Sequence, residues 1–304
     1  MLMNYRAIIR DAWVMTQSNK KLIWTFAFVP ALLTTIVFMG YMVYQFFALR
    51  TSGLFGGETK DLFSIIAKKL WQFIGNHPGV GVFLIVVASV LGLVWLILPV
   101  FTQGALIQLL GRARRGEEIS ILDGIGLGFR RFLQLFEYHL AIKSFGFVSV
   151  FTNAVFFLRS LGLEAFGVFI WIFLLIFVVG IFLTLLFTYS EYFICLNDQG
   201  MFKSMMASSS MVVRHWHHTF FMLLLMSFIT LRIVINIAFA MLLPLLVMGP
   251  ILFFTSVTLV KIGVVVGGIV GLVGLYFASY FVGVFNVFTT AVWTFTFLEL
   301  HEKK

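Results

Sequence analysis

"MFKSMMASSSMVVRHWHHTFFMLLLMSFITLRIVINIAF" (Met201–Phe239) holds two kinds of helix joined by a polar turn. In its first part Phe202, Met205, Met206, Ser209, Val212 and Val213 recur at spacings of three and four, the signature of one helical face. That helix is too short to cross a bilayer. The turn Arg214-His215-Trp216-His217-His218 follows, and then an apolar run long enough to span. The stretch predicts an amphipathic helix lying in the membrane interface, followed directly by a transmembrane helix.

The same order occurs twice more. Near the N-terminus Tyr5, Ile8, Ile9, Ala12 and Trp13 share a face and precede an apolar run that begins near Leu22. That run lacks a small-residue cleavage site, which fits a retained first span. In "SILDGIGLGFRRF" Leu122, Ile125, Phe129 and Phe132 share a face, and "SILD" has the form of a capping box with Asp123 in place of Glu. Six spans are predicted over roughly 22–48, 79–110, 133–158, 166–196, 219–247 and 262–298. The expected fold is therefore all-α and polytopic. Three hairpin units, 1–110, 111–197 and 198–304, each open with an interfacial helix, within one membrane domain. A fourth amphipathic helix at about 59–75, with Leu62, Ile66, Leu70 and Phe73 on one face, is expected outside, as a lid or a docking site.

Composition supports lipid as the main solvent. The 304 residues are 61% hydrophobic and 11% charged, with mean hydropathy +1.06, too apolar for a water-covered surface. The net charge is +9. Most basic residues fall on one set of alternating segments: Arg6, Arg10, Lys20 and Lys21; Arg112, Arg114, Arg115, Arg130 and Arg131; Lys203 and Arg214; Lys303 and Lys304. The intervening loops hold Arg50, Lys60, Lys68, Lys69, Arg159 and Lys261. This bias predicts both termini in the cytoplasm, with anionic lipid headgroups as partners. No basic soluble face suggests nucleic acid.

Catalytic and cofactor signatures are missing. "GIGLGF" (Gly124–Phe129) lacks the strand and spacing of a dinucleotide site, and no His-Glu-x-x-His helix occurs. His215 and His218 could share a helical face, but an interfacial belt around Trp216 explains them more simply than a metal. Cys195, the single cysteine, supports no disulfide or cysteine metal site. No metal, cofactor or enzymatic activity is expected.

Three groups stand out. Arg232 interrupts an apolar run, and an inward orientation toward Asn236, Asn286 or exposed carbonyls is expected, with an anionic lipid head or substrate as a possible counter-charge. Glu137, His139 and Lys143 gather near the start of the third span, and Glu191 near the end of the fourth; these could pair across helices at the interface. Gly263, Gly267, Gly271, Gly274 and Ala278 form a small-residue stripe for close helix approach, within the chain or between copies.

The stretch "YSEYFICLNDQGMFKSMMASSSMVVRHWHHTFF" (189–221) resembles the membrane domain of bacterial glycerophosphoryl diester phosphodiesterases and related six-span bacterial inner-membrane proteins. In that family a span ends in an aromatic and acidic stretch. A glycine, a small-residue amphipathic helix with a serine, and a tryptophan follow. Those roles fall here to Glu191, Gly200, Ser208 and Trp216. The ending "FTTAVWTFTFLELHE" is similar to the family's last helix. The resemblance implies a fold and a bacterial inner-membrane location. It does not imply phosphodiester hydrolysis, since the family's soluble catalytic domain is absent. A scaffold or accessory protein of the cell envelope is the expectation; the alternative is a transporter or lipid-handling protein with a polar cavity near Arg232.

Overall fold

The computed structural model describes residues 4–50, 62–118, 120–143, 145–252 and 257–302. Within these, side chains at 143, 236–238, 240–252 and 257–267 are among those not described, so the side chains of Lys143 and Asn236, and the surroundings of Gly263 and Gly267, lie outside the described residues. Among the described residues every regular element is helical. The order is α1 (Tyr5–Ser18), α2 (Lys20–Leu22), a π-helical stretch (Ile23–Phe28), α3 (Val29–Arg50), α4 (Leu62–Asn76), α5 (Pro78–Arg114), α6 (Ile121–Arg130) and α7 (Phe132–Lys143). Then come α8 (Phe147–Leu186), α9 (Ser190–Leu196), α10 (Met201–Arg214), α11 (Trp216–Leu252) and α12 (Val257–Glu302). The chain is an all-α, polytopic membrane protein.

Five helical segments among the described residues are long and apolar enough to span: Lys20–Tyr41, Pro78–Arg114, Phe166–Leu196, Trp216–Ile235 and Gly268–His301. The expected third span, 133–158, is instead divided. Helix α7 stops at Lys143, Gly146 is extended (φ −66°, ψ 147°), and α8 starts at Phe147. A second break follows at Gly162, whose φ of 79° and ψ of 175° are open essentially to glycine alone. Residues Phe147–Leu186 are thus two helices meeting at Gly162, not one. The elbow at 145–146 packs on Gly180 of the second arm: a Cβ there would collide with the Phe145 carbonyl.

The short helices α1, α6 and α10 each bury one face, where small residues mix with Ile8, Leu127, Met211 and Val212, and leave other large apolar residues exposed. In α6, Gly124 and Gly128 are buried on α5, whereas Leu122, Ile125 and Phe129 are exposed. A Cβ on Gly128 would lie 2.7 Å from the Phe101 ring, so only glycine permits this approach. In α10, Ser204, Ser208, Met211 and Val212 are buried while Phe202, Met206 and Val213 are exposed. In α1, Ile8, Ala12 and Thr16 are buried, and Trp13 leans on Phe288 of α12 with its outer side open. The expected capping box of α6 is not made: Ser120 occupies the N-cap position, but its side chain forms no cap bond. Helix α1 does have a side-chain cap, Asn4 Oδ1 accepting from the Ala7 N–H at 3.1 Å.

Both α5 and α12 are buried at the end where these helices gather. Leu106, Ile107, Leu109 and Leu110 of α5 pack with Val287, Ala291, Val292, Phe295 and Phe297 of α12, and with Leu22, Ile23 and Phe26. The glycine stripe is only partly used. Ala278 is buried, Gly274 is half-buried, and a Cβ on Gly271 would meet open space. The close approach of α12 falls further along, at Gly283, where a Cβ would sit 3.4 Å from the backbone of Ala27 and Phe28. Helix α4 lies where the outer amphipathic helix was expected, with Trp71 exposed.

Candidate functional site

At the packed end, polar side chains from four helices converge. His139 Nε2 of α7 lies 3.3 Å from Glu191 Oε1 of α9, close enough for an ion pair but poorly aligned for a hydrogen bond. Gln103 Nε2 of α5 donates to Glu191 Oε2 at 3.2 Å. Thr290 Oγ1 of α12 sits 3.4 Å from Gln103 Oε1 and donates to the Asn286 carbonyl at 2.8 Å. Glu191 lies in the first turn of α9, where the helix dipole favours a negative charge. The structure thus brings His139 to Glu191 and adds Gln103 and Thr290, polar residues of otherwise apolar runs. Glu137 is exposed on the other side of α7, without a partner among the described residues.

A second tie involves Ser208, whose Oγ accepts from the Tyr189 N–H at 3.0 Å and donates to the Leu186 carbonyl at 2.8 Å. These groups lie in the Phe187–Ser190 turn region, where the long helix gives way to α9 and backbone groups need side-chain partners. Tyr138 OH donates to the Phe187 carbonyl at 2.9 Å from the other side. Asp198, with φ 55°, accepts from Arg131 Nε and Arg130 Nη2, each at 2.8 Å. The hydrogen bond from Arg131, with the charges of both arginines, holds the Asp198 carboxyl below its usual value against a small burial penalty. Tyr5 OH hydrogen-bonds His218 Nδ1, tying α1 to α11.

Arg232 does not behave as expected. It is exposed, and among the described residues it makes no ion pair or hydrogen bond; the expected bond to Asn286 is not formed. Helix α11 turns Met222, Met226, Ile229 and Ile233 toward the protein, and Arg232 falls outside that row. Counted from Trp216 it lies about 24 Å along the axis at 1.5 Å per residue. That is near the far boundary of a hydrocarbon core about 30 Å thick, within snorkelling reach of headgroups. A charge there does not require an internal acid.

A cavity of about 610 Å³ forms a groove open to the side between α8 and α11. Phe177, Gly180 and Thr184 form one wall, Leu224, Ser227 and Phe228 the other, and the Phe145–Gly146 elbow closes one end. Among the described residues no charged side chain lines it. Non-helical backbone at membrane depth is tolerated where protein covers it or a cavity adjoins it, and the elbow meets both conditions. Neither this groove nor a smaller cavity near α10 is lined by His139 or Glu191. Among the described residues no three His, Cys, Asp or Glu side chains converge as metal ligands.

The chain matches no family model, no curated protein and no solved structure.

Proposed function

We propose that this chain is a non-enzymatic integral membrane protein of the bacterial cell envelope, with an accessory role exercised through lipid. Its α8–α11 groove holds an acyl chain. The observation that carries this reading is the groove itself: it is apolar, open sideways and set among spanning segments, with a helix break at its end. A polar solute would need donors and acceptors along such a path, and this one offers little beyond Thr184 and Ser227. The closed His139–Glu191–Gln103–Thr290 group fits a cross-link between helices better than a proton path. In this reading the molecule sits in the inner membrane with both termini cytoplasmic, and anionic lipids are its partners. The resemblance of 189–221 to the membrane domain of glycerophosphoryl diester phosphodiesterases belongs to the same reading.

The test is electron paramagnetic resonance of acyl-spin-labelled phospholipid in nanodiscs containing the protein. An immobilised lipid population is expected, and Ser227→Trp, which fills the groove, should remove most of it. An unchanged spectrum in that variant would overturn the assignment.

A further inference from the structure

A second cavity, of about 230 Å³, opens where α10 meets the end of α12, and it shares no residue with the groove. Phe193, Met211 and Leu300 form apolar walls; Ser210, Arg214, His215 and His301 bring polar groups. Arg214 ends α10 and makes no ion pair or hydrogen bond among the described residues. The His301 ring is stacked on Phe297 (centroids 5.4 Å apart, 11° between planes) and its Nε2 lies 3.1 Å from Asn197 Nδ2. An amide nitrogen can only donate, so Nε2 accepts and the ring proton is assigned to Nδ1, available as a donor. Gln199 lines the same cavity, and its side-chain amide carries two further N–H donors.

The charge balance selects the ligand. Among the described residues no carboxylate lines the cavity. Asp198, beside Gln199 in sequence, is held by Arg130 and Arg131 at 2.8 Å each and does not neutralise Arg214. A cation is disfavoured by Arg214 and by the lack of acidic ligands. A guanidinium fork, the His301 imidazole N–H and a hydroxyl around one small cavity match a tetrahedral oxyanion with several acceptor oxygens. The exposed Phe202, Met206 and Val213 on α10, with exposed Trp216 next to the cavity, place it at headgroup level. From this we infer that the cavity between α10 and the end of α12 binds a phosphate group. The group comes either from an anionic phospholipid head or from a soluble phosphate ester. The site is independent of the acyl groove and stands or falls separately.

The experiment uses the full chain in two settings. In detergent, calorimetric titration with inorganic phosphate and with glycerol 3-phosphate should give saturable binding, weakened at least tenfold by Arg214→Gln. In nanodiscs containing equal parts phosphatidylglycerol and phosphatidylcholine, native mass spectrometry should show retained phosphatidylglycerol that Arg214→Gln loses. Binding in the second setting identifies a lipid source; binding confined to the first identifies a soluble one. Ser210→Glu places a carboxylate at an exposed position of the cavity, disturbs no buried group, and should abolish binding while the thermal melt stays unchanged. Lys203→Gln, on the same helix outside the cavity, should have no effect. The inference is overturned if neither setting shows binding, or if binding survives both Arg214→Gln and Ser210→Glu.

Discussion

Two stretches of α12 are both largely apolar and differ in fate. Between Gly268 and Phe281 the residues Ile269, Leu272, Val273, Tyr276, Phe277 and Phe281 are exposed. Between Val287 and Leu300 the residues Val287, Ala291, Val292, Phe295 and Phe297 are buried, along with Thr290, Thr294 and Thr296. Helix α5 repeats the contrast: Val82, Phe83 and Ile85 are exposed, Leu106, Ile107, Leu109 and Leu110 buried. Lipid tails are as apolar as leucine, so apolarity does not decide which half packs. What separates the halves is the arrival of other helices by small faces, and hydroxyls with a bond to make. Thr290, Thr294 and Thr296 each donate to the carbonyl four residues earlier, which satisfies their hydroxyls inside the core.

The contrast can be broken most directly at Phe297. It is fully buried and touches the rings of Tyr189, Tyr192, Phe193 and His301. Phe297→Ala should cost about 3–5 kcal/mol, as a truncation in a packed core. Leu272→Ala, in the exposed half, should stay within about 0.5 kcal/mol. Equilibrium unfolding in mixed micelles checks both, and similar losses at the two sites would remove the distinction between a packed and a lipid-facing half.

A sharper version uses neighbouring serines of α10. Ser208 bridges to another segment through Tyr189 and Leu186, whereas Ser209 bonds only the Met205 carbonyl of its own helix. Ser208→Ala leaves a buried N–H and a carbonyl without their partner and should cost about 1–3 kcal/mol. Ser209→Ala should be close to neutral in the same unfolding experiment.

The smallest effect belongs to Asp198, at the water-facing rim of the packed end. Its carboxyl is held below the ordinary value in the folded chain, so its contribution is present above about pH 4, the unfolded carboxylate range, and is lost as pH falls through the lower folded value. Exposure and salt limit the pair to under about 1 kcal/mol. Asn tolerates the left-handed backbone here, so Asp198→Asn is a clean comparison. Melting curves taken between pH 3 and 7 should show the wild type losing its small advantage over the variant at the acid end.

Much of the architecture was legible in the residues. The helical spacing at 201–213, the polar turn and the apolar run predict a short helix followed by a long apolar one, and α10 and α11 match that order. The third span was misread because apolarity over 133–158 carries no mark of the elbow. The reason for the break is tertiary: Gly180 lies far along the chain and leaves room for the Phe145 carbonyl. For Arg232, the apolar run suggests polar neighbours inside the bundle, whereas the helix face that packs runs through Met226, Ile229 and Ile233 and excludes it. Gln103 carried a faint signal, as a polar residue in an apolar run, but nothing local points it to Glu191.

By itself, then, the sequence determined that this chain folds as helices in a membrane, because length, apolarity and spacing act locally and the bilayer admits few alternatives. Which face of each amphipathic helix meets protein and which meets lipid was decided only in three dimensions. Both surroundings are apolar, and the choice rests on steric fit at Gly124 and Gly128 and on the hydrogen bonds of Ser208 to residues distant in the chain.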